Sequence, residues 1–221
     1  MPILRGRDIK RYGYNFADLW LIATFPSKKY NIEKFPEVKR HLLSFGINRL
    51  EQSGKKYVIN GQIINARKKT NNKWFETQDN IGYWEDFSKQ KIIYSEIVRN
   101  PQFYYDQKGT FFVEATAFFM TGIHLDYLTA LLNSRVFSYI FKTFYAGGGL
   151  GSEGYRYKKA FLINMPIPKY KASPIQKQII NLCNTRSLRN HVEIDNEIEK
   201  SIINLIGLSR DEANIINEEI N

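Results

Sequence analysis

A run of cationic, amide and aromatic side chains between residues 65 and 78 has the composition to bind a polyanion. Its cations are Arg67, Lys68, Lys69 and Lys73, and they stand among Thr70, Asn71, Asn72, Trp74 and Phe75. Cations neutralise phosphates and release counterions, which gives affinity without sequence information. Hydroxyl and amide groups hydrogen-bond to phosphate oxygens or base edges, and the aromatics can anchor the loop. The alternative is a solvated basic loop with two core aromatics.

A glycine-rich segment that begins at Gly147 is the second candidate. Residues 149–154 match the G-x-G-x-x-G pattern of dinucleotide-binding folds, but a helical pattern precedes them and no acidic residue follows about 20 positions later to hold a ribose. The segment is more typical of a loop whose backbone approaches another molecule closely, and the cations after it indicate a phosphate backbone. The predicted contacts are Gly147, Gly148, Gly149, Ser152, Arg156 and Lys158. A flexible surface loop is the alternative.

Residues with the types and spacing of a catalytic centre are not found in the sequence. Residues 100–103, Asn-Pro-Gln-Phe, resemble the Asn-Pro-Pro-Tyr tetrapeptide of amino-methyltransferases but lack its second proline, so we interpret them as a turn before a strand. The three histidines lack metal-ligand spacing. The single cysteine, Cys183, excludes a thiolate zinc cluster and an intrachain disulfide. We therefore expect no catalytic residue, metal or cofactor site in this chain, which leaves open whether it is part of an enzyme.

The net charge of +10 is concentrated in the first three quarters of the chain. Residues 1–168 hold 25 Lys and Arg against 14 Asp and Glu, a net of +11, whereas residues 169–221 have a net of −1. A polyanion partner is the usual physical reason for such an excess, with plain solubility as the alternative. The longest uncharged apolar stretch, residues 115–125, is far shorter than the ~20 residues of a spanning helix. With no secretory signal recognised, a cytoplasmic, membrane-free location is expected.

Strand and helix patterns alternate without a repeating unit, which predicts the α+β class with a curved mixed sheet and packed helices. The strand-like runs are 18–24, 91–98 and 103–115, and Asn60-Gly61 between branched apolar residues predicts a hairpin over 56–64. Apolar residues at helical spacing (Val38, Leu42, Leu43 and Phe45) predict a helix over 32–52 with Pro36 in its first turn. A second helical pattern over 125–145 breaks near Asn133-Ser134.

The pattern changes after Pro168. Ser173-Pro174 starts a helix, and apolar stripes continue along two helical segments towards Gly207, where a short last helix follows. We therefore divide the chain into a domain over residues 1–170 and a C-terminal helical arm over residues 171–221. The arm is predicted to serve as a dimerisation or docking element.

Several of these runs, in this order, resemble the TaqI-like C-terminal specificity domain of type IIG restriction-modification enzymes and related adenine-specific DNA methyltransferases. The runs are residues 3–9, 19–22, 68–78 and 145–151. Residues 131–134, 165–168 and 174–180 are similar to the end of a target-recognition domain in type I restriction specificity subunits.

The resemblance implies a DNA-binding target-recognition domain without catalysis of its own. It would bind double-stranded DNA in sequence-specific fashion and position a target adenine for a methyltransferase domain or subunit, with or without a nuclease, outside this chain. S-adenosylmethionine is then expected on that missing methyltransferase domain. The alternative is a protein-interaction module that acts through the C-terminal helices and binds nucleic acid only non-specifically.

The resemblance also bears on which residues read sequence. Runs shared by proteins that read different DNA sites cannot themselves specify the site. Residues 68–73 and the glycine loop are therefore predicted to contact phosphates or act as scaffold. Arg5, Arg7 and Arg67 are predicted to be further DNA contacts. Base readout is expected from less motif-like segments, such as residues 99–108 or 12–16.

Overall fold

The computed structural model describes residues 1–146, 154–188 and 192–220. The α-helices are α1 (Pro36–Leu43), α2 (Ile47–Leu50), α3 (Leu125–Leu132), α4 (Arg135–Ile140), α5 (Lys159–Leu162), α6 (Pro174–Leu188), α7 (Val192–Ile206) and α8 (Arg210–Ile220). A π-helical turn, Phe141–Tyr145, continues α4. Short 3-10 turns lie at Gly6–Asp8, Pro26–Lys28, Ile32–Lys34 and Trp84–Ser88.

The strands are short and pair in small groups. They are β1 (Ile3–Leu4), β2 (Ile9–Lys10), β3 (Gly13–Tyr14), β4 (Lys56–Ile59), β5 (Gln62–Asn65), β6 (Lys91–Ser95), β7 (Ile97–Val98), β8 (Phe103–Asp106), β9 (Phe112–Val113), β10 (Ala117–Thr121) and β11 (Tyr155–Arg156). Strand β6 lies between β10 and β8 in an antiparallel sheet, and β1 pairs with β9 in parallel. The predicted α+β class is confirmed, and both strand orientations occur.

The chain divides into two compact units. The small unit contains Met1 and residues 20–84, and the large unit contains residues 2–19 and 85–221. The small unit holds α1, α2 and the β4–β5 hairpin, whereas the three-stranded sheet and α3 to α8 belong to the large unit. The predicted boundary near residue 170 stays a prediction.

The apolar core of the large unit consists of two clusters, and β6 contributes to both. All five side chains of β6 are buried. Ile92 and Tyr94 pack in the larger cluster, to which α3 and α4 also contribute, whereas Ile93 packs in a smaller cluster with Leu4. The break between these two helices lies where the sequence predicts it, because Ser134 accepts a hydrogen bond from the Phe137 amide and caps α4.

The C-terminal helices share this core. Ile179 and Cys183 of α6, Ile198 and Ile202 of α7, and Ile216 of α8 are buried in the same cluster as α3 and α4. Burial also raises the pKa of the Cys183 thiol to about 12, so the thiol stays protonated and packs as a core side chain.

Buried polar side chains of the large unit connect its elements by hydrogen bonds. The Asn133 amide donates to the Phe103 carbonyl at 2.8 Å and accepts from the Phe103 amide at 3.0 Å, as a neighbouring strand would. The Glu199 carboxylate of α7 accepts from the amides of Arg135 and Val136 at the start of α4. A negative charge at this helix end is stabilising.

The small unit contains the predicted hairpin, with strands β4 and β5 paired so that Val58 lies opposite Ile63. Asn60 and Gly61 both have positive φ, 49° and 76°, which the tight turn requires. The predicted long helix over 32–52 is wrong in extent. Helix α1 has Pro36 in its first turn, as expected, but it begins only there and ends at Leu43, and Gly46 has a φ of 86° that no helix continues through.

The predicted buried strand over residues 18–24 is also wrong. Asp18 has a φ of 53°, so the chain bends there instead of extending. The Trp20 side chain is 62% exposed, and Leu21 makes a bond of 2.7 Å from its amide to the Met1 carbonyl without a continuing ladder. Apolar composition alone does not supply the partner strand that a β-ladder needs.

Candidate nucleic-acid interface

Arg67 holds the basic loop, residues 65–78, to the rest of the small unit. Its Nε and Nη2 donate to the Leu50 carbonyl at 2.8 and 2.5 Å, and its Nη1 donates to the Glu76 carbonyl at 2.9 Å. Nη2 also donates to the carbonyl of Trp74. Four of the five guanidinium N–H groups are used in this way, so Arg67 shapes the loop.

Gln52 forms the second brace of the loop. The Gln52 side chain is buried, and its amide donates to the carbonyls of Lys73 and Glu76 at 3.0 and 2.8 Å. Its side-chain oxygen accepts from the Thr70 hydroxyl at 2.6 Å. Thr70 is therefore engaged inside the loop rather than presented outwards.

Asn72 and Glu76 close the turn at the end of the loop. The Asn72 amide donates to the carbonyls of Thr77 and Gln78 at 3.0 and 2.9 Å. The buried Glu76 carboxylate accepts from the Lys73 amide at 2.8 Å. These bonds satisfy backbone groups that an irregular loop otherwise leaves to water.

The aromatic residues anchor the loop, as the sequence suggests. Phe75 is buried and its carbonyl accepts from the Thr24 hydroxyl at 2.7 Å, while Trp74 is half-buried with its ring edge-on to Phe75. The Lys73 ammonium lies 5.7 Å from the Phe75 ring centroid, a cation–π contact.

Between residues 66 and 78 the polar side chains that the loop leaves exposed are Lys68, Lys69, Asn71 and Lys73. The hairpin at its N-terminal side adds Lys55 and Lys56, which are also exposed. From residue 55 to residue 73 the chain contains six cations and no carboxylate. The small unit as a whole has 12 Lys and Arg against 5 Asp and Glu, a net of +7 out of +10.

Arg5 and Arg7 lie in the large unit and differ in their surroundings. The Arg5 guanidinium donates to both carboxylate oxygens of Asp8, at 2.8 and 2.9 Å, and this lowers the pKa of the Asp8 carboxyl. Between them Gly6 approaches Thr116 so closely that a Cβ would lie 2.6 Å from the Thr116 carbonyl oxygen. Arg5 is therefore structural, whereas Arg7 is exposed.

The predicted contacts Gly147, Gly148, Gly149 and Ser152 lie outside the described residues. Arg156 follows them in β11 and is half-buried, whereas its sequence neighbours Tyr155 and Tyr157 are buried and contact each other. Its Nε is buried and has no hydrogen-bond partner within the described part of the chain. Lys158 is exposed, with its ammonium 5.7 Å from the Phe161 ring centroid.

The segments expected to read bases are partly framework. Tyr12 is buried, with the guanidinium groups of Arg11 and Arg186 each 5.4 Å from its ring centroid, and both of these groups bind Asp195. Phe103 is buried and held by Asn133. At residues 100–103 the chain bends at Asn100 and enters β8 at Phe103, whose ring lies inside the core.

One group of side chains is missing from the sequence-based predictions. Val58 and Ile63 of the hairpin are 74% and 68% exposed, beside the exposed Lys56 and Asn65. The Asn-Gly turn reveals the hairpin in the sequence, but alternating apolar residues normally indicate a buried face, so their exposure is not evident from the pattern.

Within the described residues, His, Cys, Asp and Glu side chains do not gather in threes as a metal site requires. None of the helices over those residues combines the length and apolar character needed to cross a membrane.

Comparison with known proteins gives one informative match. The profile of the family described as the TaqI-like C-terminal specificity domain matches residues 1–167, about three quarters of the chain. No curated protein matches.

Proposed function

Because the chain belongs to the TaqI-like C-terminal specificity domain family, which recognises DNA targets in restriction–modification and works with a methyltransferase, we propose that it binds one duplex sequence and positions a target adenine within it. The methyltransferase would lie on another segment or subunit. The observation that carries this proposal is the braced basic loop of the small unit, which presents cations outwards while its other polar groups fix its shape.

The predicted site residues then divide into two roles. Lys68, Lys69, Lys73, Arg7 and Lys158 are exposed cations suited to phosphate contacts, and Asn71 adds an exposed amide. Arg67, Thr70, Asn72 and Arg5 position the loops that carry those cations.

The glycine loop keeps its proposed role as a close backbone approach to phosphate. Gly147, Gly148, Gly149 and Ser152 would contribute there, with Arg156 next to them in sequence.

In this proposal the chain itself performs no bond chemistry. A methyltransferase reaches a ring nitrogen or exocyclic amine only after the base leaves the stack. The specificity domain contributes by fixing the register of the duplex. S-adenosylmethionine would bind to the methyltransferase, and a type IIG arrangement would add a nuclease outside this chain.

A selection experiment tests the DNA-binding part. The full chain is incubated with 30-bp duplexes of randomised centre, and bound duplexes are amplified and sequenced over several rounds. We expect one sequence to be enriched and bound about 1,000-fold more tightly than unselected duplex. Its affinity should fall steeply with NaCl concentration. Absence of enrichment, with weak salt-insensitive binding, would contradict the proposal.

The adenine-positioning part has a separate test. Genomic DNA of the host is sequenced for N6-methyladenine, and the methylated motif is compared with the sequence that the chain enriches. We expect the two motifs to coincide with the methylated adenine inside the enriched site. Absence of N6-methyladenine from the enriched sequence in the genomic DNA would remove this part while leaving DNA binding intact.

The alternative protein-interaction role has one supporting observation. Leu188 at the end of α6 and Val192 at the start of α7 are 86% and 75% exposed. We propose that this end of the helices docks on a second copy or on the methyltransferase. Sedimentation equilibrium of the full chain and of Leu188→Ser tests the dimer: association is expected for the wild type and lost in the variant. If the wild-type chain sediments as a monomer at all concentrations, the proposed dimer is contradicted.

A further inference from the structure

We propose that the β4–β5 ribbon enters the major groove of the duplex and reads base edges with one of its faces. This inference rests on the proposed function and names the element that supplies its sequence preference. The face, called the open face below, consists of Lys56, Val58, Ile63 and Asn65.

Strand pairing defines the open face. Lys56 lies opposite Asn65 and Val58 lies opposite Ile63, and side chains two positions apart along a strand share a face. The open face therefore presents an apolar pair towards the turn and a cation–amide pair at the base. All four side chains are exposed.

The opposite face of the ribbon is partly covered by the rest of the small unit. Tyr57 and Ile64 are half-buried there, and the Tyr57 hydroxyl donates to the Glu51 carboxylate at 2.5 Å. Nearer the turn, Ile59 and Gln62 of this face are exposed. At its base, therefore, the ribbon is covered on one face and exposed on the other, which distinguishes it from a solvated loop. An exposed pair of β-branched residues on a two-stranded ribbon is an association hazard unless another molecule covers it.

The ribbon and the basic loop form one continuous element. The Ala66 amide donates to the Lys55 carbonyl and the Gly54 amide donates to the Arg67 carbonyl, both at 2.9 Å. Arg67 in turn is bound to the Leu50 carbonyl. Phosphate contacts by the loop cations would therefore fix the position of the ribbon relative to the duplex.

The dimensions and chemistry of the open face match a major groove. A two-stranded ribbon fits this groove, which is about 12 Å wide. Four residues at about 3.4 Å each extend about 13 Å, the length of about four base pairs. Val58 and Ile63 suit thymine methyl groups, and the Asn65 amide suits the adenine N6 and N7 pair.

Charge favours DNA over a protein strand as the molecule that covers this face. The six cations between residues 55 and 73 have no carboxylate among them, which suits a polyanion as the partner of the ribbon and the loop that follows it. A partner strand added to the ribbon edge would use main-chain hydrogen bonds and leave this charge unused.

The test compares sequence preference, not affinity alone. The selection described above is repeated with Asn65→Ala and with the double variant Val58→Ser/Ile63→Ser. The matched control is Ile123→Ser, because Ile123 is an equally exposed isoleucine of the large unit. Thermal melts of all variants establish that they fold.

We expect Asn65→Ala to lose about 10- to 100-fold in affinity for the selected duplex and to relax preference at one or two positions. Its affinity for unselected duplex should not change. In the wild-type complex, guanine N7 atoms within the site should be protected from dimethyl sulfate, and the double variant should lose that protection. Ile123→Ser should behave as the wild type.

The outcomes separate this inference from the function on which it rests. Failure of the wild type to enrich any sequence overturns the proposed function. Enrichment of the same sequence by wild type and both ribbon variants overturns the ribbon alone. If the ribbon variants lose affinity equally for all duplexes, the ribbon contacts phosphates, and base reading is overturned as well. Unchanged DNA binding with a changed sedimentation coefficient assigns the open face to a protein and overturns the inference.

Discussion

The two units of this protein maintain their shapes by different means. In the large unit, strands and helices pack in two apolar clusters, and β6, which is buried along its whole length, contributes to both. In the small unit the buried apolar side chains are Phe25, Ile32 and Phe75, and side-chain hydrogen bonds to backbone carbonyls shape its loop.

The charges of the two units also differ. The small unit has a net charge of +7, whereas the large unit has +3. The more basic unit, the small one, therefore has fewer buried apolar groups to oppose the repulsion among its cations. Hydrogen bonds to backbone carbonyl groups can then stabilise the conformation of the basic loop, because they need little buried volume and tolerate water nearby.

The largest effect is expected from breaking the buried ion pair of the large unit. Lys91 and Asp106 lie 2.7 Å apart with almost no exposure, and the Asp106 carboxylate also accepts from the amides of Thr110 and Phe111. Asp106→Ala leaves the ammonium without its counter-charge and should reduce the free energy of unfolding by about 3–5 kcal/mol.

Hydrogen exchange measured by mass spectrometry locates that effect. Exchange should accelerate in β6 and β8 and stay unchanged in β4 and β5. Asp86→Ala, which removes an exposed pair with Lys89, is the control and should change neither. Equally accelerated hydrogen exchange in both units would refute the idea that each unit is stabilised by its own interactions.

A somewhat smaller effect is expected for Arg67, the corresponding polar residue of the small unit. Arg67→Met removes the donors to three carbonyl groups and should lower the free energy of unfolding of this unit by about 2–3 kcal/mol. Arg67→Lys should not rescue it, because an ammonium lacks the planar fork. Denaturant titration followed by exchange in residues 65–78 measures the loss, and a full rescue by lysine would show that charge alone matters.

The exposed cations of the same loop should affect binding and not stability. In the variant Lys68→Gln/Lys69→Gln/Lys73→Gln, the slope of log affinity against log salt should become shallower by about 2–3, since each lost phosphate contact contributes about 0.9. Fluorescence anisotropy with selected and unselected duplexes measures the slope. Both duplexes should lose affinity alike, and a changed sequence preference would contradict the phosphate role.

The smallest effect concerns acid stability at Asp8. The bonds from Arg5 lower the pKa of Asp8 in the folded protein, so its contribution to stability is complete above the ordinary pKa of about 3.9. That contribution is lost as the pH falls through the lowered pKa. Asp8→Asn should therefore lower the melting temperature at pH 7 and converge towards the wild type near pH 3. A difference that persists unchanged at pH 3 would assign the effect to packing.

Features fixed by neighbouring residues were predictable from the sequence. The Asn60-Gly61 turn, the Ser134 cap and the start of α6 at Pro174 depend on local backbone conformations that a few residues determine. The α+β class followed from the same local patterns.

Features that depend on distant partners were not predictable. Residues 18–24 have strand composition but pair with other backbone only at an isolated bridge at Trp20. Arg67 appears as one more cation until the carbonyls of Leu50 and Trp74 are seen around it. Likewise the exposure of Val58 and Ile63 depends on what does not pack against them. A single sequence contains no measure of such tertiary neighbours.

The contact of Glu199 with the start of α4 has a practical consequence for anyone who trims this protein. Family similarity ends at residue 167, yet a chain cut there would leave the Arg135 and Val136 amides without their acceptor and uncover Val136 and Phe137. A soluble minimal reader of DNA therefore needs residues far past the limit that similarity suggests. Truncation at residue 167 would expose apolar core side chains and favour aggregation, so a loss of DNA binding in such a fragment would not report on recognition.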